Sequence, residues 1–193
     1  MGTRNLIIVI KNQEVKIAQY GNSSGYPEVV GLDILNFISI ERNLTELTNR
    51  LSKIYFMSED DEKLYRSLEN KMYEGNLEEM KKANEEISEK FPLVVMDFGG
   101  KFLKEIIICD YEKILLKNSI NFAKNSLYCE WAYVIDLDKD IFEVYIGSNL
   151  LNLSENERFF FLQDKNEKYK PVKLIKSYNF KNLPNQLEFV EEF

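Results

Sequence analysis

The sequence predicts an α+β fold, and three observations carry that expectation. Short apolar or alternating runs of strand character stand at both ends of the chain, helical periodicity fills its middle, and polar segments rich in turn residues separate the two. With 193 residues, 45% of them hydrophobic, the chain can bury a core without a metal or a disulfide. A single domain spanning 1–193 is expected: antiparallel strands from both chain ends packed with amphipathic helices, and an acidic helical insertion at about 58–91.

The first strand is Leu6 to Ile10, apolar throughout and so suited to burial on both faces. A polar turn, Lys11 to Glu14, leads to Val15–Tyr20, which roughly alternates, and Gly21 to Pro27 is too rich in Gly and Ser to continue a sheet. Leu32, Leu35 and Ile38 then repeat at helical spacing. Leu44, Leu47, Leu51 and Ile54 follow, with Asn43 and Glu46 placed like a capping box. Ser58 with Asp61 opens a helix carrying Leu64, Leu68 and Met72. Asn76 with Glu79 opens another carrying Leu77, Met80 and Ile87, which ends before Pro92.

Beyond Pro92, Asp97 to Gly100 reads as a turn, and Phe102, Leu103, Ile106 and Ile107 share one helical face. In the second hairpin Cys129, Trp131, Tyr133 and Ile135 are expected on one face and Glu130, Ala132 and Val134 on the other. Asp136 to Asp140 turns the chain and Ile141 to Gly147 returns. Arg158–Gln163 and Val172–Tyr178 are two further strand candidates that complete an antiparallel set.

Composition removes whole classes of chemistry. The chain has no histidine, so a Ser-His-Asp or Cys-His site cannot be built, and acid–base work would fall to carboxylates, tyrosine, lysine or a terminal amine. Cys109 and Cys129 lie outside any Cys-x-x-Cys pair, which argues against zinc and iron–sulfur sites, and no cofactor is expected. A net charge of −7 opposes direct binding of a nucleic-acid backbone. Much of it is local, since Ser58 to Phe91 holds 11 acids against 6 bases. The start lacks a secretory pattern and no apolar run nears the roughly 20 residues of a membrane span, so a cytoplasmic protein is expected.

Three segments carry a resemblance: Met1-Gly2-Thr3-Arg4-Asn5-Leu6; Ala18-Gln19-Tyr20-Gly21 with Gly25-Tyr26-Pro27; and Cys129 to Asp138, CEWAYVIDLD. Together they resemble a group of small uncharacterised proteins of phages, bacteria and fungi. The resemblance covers both ends of the chain but not the acidic helices, and implies relatedness without an activity. Where that group carries Trp-Asp, this chain has Ser23-Ser24. A second, weaker similarity is to N-terminal-nucleophile hydrolases, in which a Thr, Ser or Cys heads a buried strand and its own amine is the base. That resemblance implies a layered sandwich fold and an amide hydrolase using Thr3, which must first be freed of Met1 and Gly2.

Other residues offer chemistry of their own. Arg4, entering a buried strand, calls for a fixed anionic partner, with Asp97 and Glu130 the first candidates. With Tyr20 and Tyr26 beside it, and Asp97 near, Arg4 would make a small-ligand pocket of nucleotide type. Asp97-Phe98-Gly99 matches the kinase magnesium triplet without the rest of that machinery. Asp136, Asp138 and Asp140 alternate like calcium ligands but lack the following Gly and distal Glu, and read as a solvated hairpin tip. Cys129 reads as an inert thiol.

The first functional expectation is a non-catalytic binding protein, encoded by a phage or mobile element, that inhibits a host defence protein by surface docking. Its partner would be a basic, nucleic-acid-binding host protein such as a nuclease. The docking surface would include Glu78, Glu79, Glu85 and Glu86.

Overall fold

The computed structural model describes residues 2–22, 24–94 and 98–193. Its main sheet has five strands: β1 (Asn5–Lys11), β2 (Glu14–Gly21), β5 (Trp131–Asp136), β6 (Ile141–Ile146) and β7 (Lys173–Asn179), in the order β2-β1-β5-β6-β7. Two further strands, β3 (Ile54–Phe56) and β4 (Ile114–Leu116), pair in parallel as a separate small sheet. The helices are α1 (Leu32–Ile38), α2 (Glu41–Arg50), α3 (Glu59–Glu74), α4 (Leu77–Lys90), α5 (Phe102–Ile108) and α6 (Gln186–Glu191). The class is α+β, as predicted.

The expected antiparallel set is divided at its centre. β2 pairs with β1, and β6 with β5 and β7, in antiparallel fashion, whereas β1 and β5 run parallel in the register Asn5↔Trp131 to Ile10↔Asp136. A parallel pair requires a crossover, here supplied by all the chain between β2 and β5. Burial of both strands on both faces follows from their central position.

Each face of the sheet meets a different cover. Ile7, Val9, Tyr133, Ile135, Phe142 and Val144 pack under α1, α2, α5 and α6. Rings extend this layer, with Phe142 stacked near Tyr133, Tyr178 and Phe189 at centroid distances of 6.3, 6.2 and 6.0 Å. Leu6, Ile8, Ala132, Val134 and Tyr145 face the other way, toward Ala123, Leu153, Phe159 and Val172. That cover is 3-10 turns and loop, not helix.

Several predicted elements are corrected. Arg158–Gln163 is not a strand; it contains a 3-10 turn at Phe160–Leu162, because β7 already occupies the edge of β6. Cys129 lies with Ala132 and Val134, not with Trp131, Tyr133 and Ile135. The alternation starts only at Trp131, after a turn in which the Cys129 N–H donates to the Asn125 carbonyl. Ile54 opens β3 instead of closing a helix. Asn43 does not cap α2, which starts two residues earlier; its amide donates to the Phe37 carbonyl at 3.0 Å and ties α2 to the end of α1.

The capping boxes at Ser58/Asp61 and Asn76/Glu79 form as expected, each with reciprocal bonds between side chain and backbone. The Asp61 carboxyl sits below the usual range because Ser58 hydrogen-bonds to it. Ser58→Ala is expected to cost about 1 kcal/mol of stability, read from urea unfolding.

The hairpin tip at Asp138 is more than a solvated turn. Asn12 and Gln13 adopt left-handed backbone at φ 56° and 62°, which closes the β1–β2 turn. Their N–H groups donate to the two oxygens of Asp138 at 2.9 and 2.7 Å. Those bonds, Gln13 first, hold the Asp138 carboxyl low. One carboxylate thus locks the two hairpin turns together. Among the described residues no helix is long and apolar enough to cross a membrane.

Candidate functional site

The three segments of the resemblance converge at the start of β1. Gly25 donates its N–H to the Thr3 carbonyl at 3.0 Å, and Tyr133 donates its hydroxyl to the Gly25 carbonyl at 2.8 Å. Gly25 thereby lies against Thr3, which is buried. Thr3 is thus held inside the fold, with its backbone carbonyl engaged by Gly25.

Arg4 finds one of its two expected partners. Its guanidinium lies 3.6 Å from a Glu130 carboxylate oxygen, its backbone N–H donates to the same oxygen at 3.1 Å, and it sits 5.0 Å from the centre of the Tyr128 ring. Asp97 lies outside the described residues. Tyr20 packs edge-on against Phe122 at 4.8 Å. Tyr26 is half exposed and leads into a π-helical turn, Pro27–Gly31, on the opposite side of the sheet from that ring pair. Arg4 and Tyr20 thus serve separate contacts, and the Tyr26 side chain is half exposed. Cys129 is buried, and desolvation pushes its thiol far up despite the opposing pull of Arg4, which leaves it protonated.

Two polar features at the sheet escaped the sequence reading. Asn5 is wholly buried, and neither oxygen nor nitrogen of its amide has a hydrogen-bond partner among the described residues. Gly21 and Gly25 lie so close to it that a Cβ at either would come within 3.0 Å of its side chain. At the far end of the sheet, Asp136 and Glu143 replace apolar residues on neighbouring strands, and Arg158 reaches down from the covering loop to both. It donates to Asp136 at 2.8 Å and to Glu143 at 2.7 Å, and the Tyr145 hydroxyl donates to Glu143 at 2.9 Å. The result is an ionic clamp in which one guanidinium bridges two buried carboxylates. Among the described residues no group of three His, Cys, Asp or Glu side chains is placed to hold a metal ion.

The acidic insertion is a helical hairpin with a small core of its own. Tyr65, Leu68, Ala83, Ile87 and Phe91 are buried between α3 and α4, with Met57 and Leu115 closing the base. Tyr65 meets Phe91 edge-on at 5.4 Å and carries the Lys117 ammonium 3.9 Å from its ring centre. Burial, reinforced by Glu69, pushes the Tyr65 phenol up to about 12.

The outer end of the hairpin is different. Leu77 and Met80, expected on the packed stripe of α4, are exposed, and Tyr73 beside them is 79% exposed. All three fall within eight residues of the turn at Gly75-Asn76, among Glu74, Glu78 and Glu79. The four predicted docking glutamates also separate by role. Glu79 completes a capping box, Glu78 and Glu86 pair with Lys82 and Lys90 at 2.7 Å, and Glu85 is exposed without an ion pair among the described residues. Periodicity alone had hidden the apolar tip, because Leu77 and Met80 share the spacing of a buried stripe.

Comparison with protein-family models, with curated proteins and with solved structures returned no match.

Proposed function

We propose that this protein is a binding module that docks through the α3–α4 hairpin on a partner with a basic surface. The observation that carries this reading is the exposed apolar tip, Tyr73, Leu77 and Met80, set in an acidic surround on a hairpin whose core is complete without it. Exposed apolar groups gathered at one place and rimmed by charge favour association, because burying them releases water while the charges choose the partner. A basic partner follows from the sign of the rim, and nucleic-acid-binding enzymes present such surfaces. An inhibitor of a host defence nuclease, encoded by a phage or mobile element, is the specific form of this reading that the acidic helices favour.

The test uses the full chain as bait in host lysate, followed by affinity measurement with the purified partner. Glu79 is left intact because it caps α4. Glu78→Lys, Glu85→Lys and Glu86→Lys together should weaken binding about tenfold at low salt and flatten its salt dependence. Leu77→Ser with Met80→Ser should weaken it at every salt concentration while unfolding stays within about 0.5 kcal/mol of the parent. Unchanged affinity in both variants would refute the reading.

A further inference from the structure

A separate feature lies on the helical layer. α1, the start of α2 and α5 enclose an open cleft of about 710 Å3, inside the range of about 300–1,000 Å3 typical of small-ligand sites. One wall is a stripe of α5: Lys101 just before it, Lys104, then Ile107 and Ile108 all line the cleft. The spacing puts them on one helical face about 10 Å long, cationic at its first end and apolar at its second.

The facing wall follows that division along α1 only. Asp33 lies at the cationic end, where a Cβ on Gly100 would come within 2.4 Å of its own Cβ, and burial pushes its carboxyl up against the opposing pull of Lys101. Phe37 and Ile40 follow further along α1 and its exit, and Ile40 and Ile108 leave 53% and 59% of their surface exposed. Arg42 and Glu46, from the first turns of α2, complete the charged lining. Three cations against two carboxylates leave one positive charge in a chain whose net charge is −7. None of the three cations is in an ion pair with a described residue.

We propose that this cleft binds a monoanionic amphiphile, with its carboxylate at Lys101 and Lys104 and its apolar body on Phe37, Ile40, Ile107 and Ile108. The single surplus charge matches one carboxylate head, and the α5 stripe, cationic at Lys101 and Lys104 and apolar at Ile107 and Ile108, matches a molecule with a head and a tail. The exposed isoleucines supply the gain from tail burial. The site is distinct from the hairpin tip and does not rest on the docking reading.

The probe is decanoate, titrated below its micelle concentration into the 15N-labelled full chain, with decyltrimethylammonium and acetate in parallel. Saturable decanoate binding is expected, with shifts centred on Lys104, Ile107 and Ile108, at least about tenfold tighter than that of the cationic amphiphile. Both test positions are exposed, so the fold should survive substitution, which circular dichroism checks. Lys104→Glu should abolish the preference for the anion, Ile108→Ser should weaken both amphiphiles, and Leu77→Ser at the hairpin tip should change nothing. Equal binding of both amphiphiles, acetate binding as tightly as decanoate, or shifts centred on the hairpin tip would each overturn the proposal.

Discussion

Replacing Arg158 with methionine should cost about 3–5 kcal/mol of unfolding free energy, a large part of the about 5–15 kcal/mol a domain of this kind possesses. The reason is the imbalance left behind. Asp136 and Glu143 side chains are 3% and 10% exposed, and Arg158 is the cation that bridges them. Burial works against the charge of the guanidinium, but its hydrogen bonds to Glu143 and Asp136 more than offset this and raise its pKa. Without the guanidinium, two carboxylates share an apolar sheet face beside Val134 and Tyr145. Adding Asp136→Asn and Glu143→Gln to Arg158→Met should recover most of the loss, because the cost lies in unpaired charge rather than in missing volume. Urea unfolding of the single and triple variants measures both effects. A loss below about 1 kcal/mol in the single variant would mean that water reaches the clamp and screens it.

Asn5→Leu should act in the opposite direction and stabilise the protein by about 1–3 kcal/mol. Leucine has nearly the shape of asparagine, and the substitution removes a buried donor and acceptor that have no partner among the described residues. The close approach of Gly21 and Gly25 leaves little tolerance for a side chain with more heavy atoms, so Asn5→Phe should destabilise instead. The crevice beside Asn5, lined also by Gln19, Phe98 and Phe102, has no room for a water molecule. If Asn5→Leu is destabilising, the amide has a partner in solution, and hydrogen exchange at Gly21 and Gly25 would show whether their loop opens to admit one.

The legible parts of the fold were those governed by neighbours in the chain. Ser58/Asp61 and Asn76/Glu79 were readable as capping boxes because both partners lie within four residues. Leu6 to Ile10 was readable as a strand covered on both faces because an apolar run of that length has few other uses. The same local logic failed at Arg158. Arg158–Gln163 read as a strand candidate, yet the position of Arg158 is set by two carboxylates 15 and 22 residues away. It failed again at Leu77 and Met80, where a periodic stripe says which side chains share a face but not whether anything lies opposite them. The acidic character of the hairpin was visible in composition; that its tip is apolar and unpartnered within the described chain was not.

The amino-acid order alone determined the α+β class, the starts of α3 and α4, the exclusion of imidazole chemistry and the place of the acidic hairpin, since each depends on composition or on interactions between near neighbours. Only the tertiary structure decided that β1 and β5 run parallel, that Arg4 meets Glu130 away from Tyr26, that Asn5 is buried without a hydrogen-bond partner among the described residues, and that Lys104 and Arg42 line one cleft. Those outcomes depend on which distant segments lie side by side. Separations of up to 126 residues, as between Arg4 and Glu130, are fixed by the packing of the whole core and leave no trace in the local pattern.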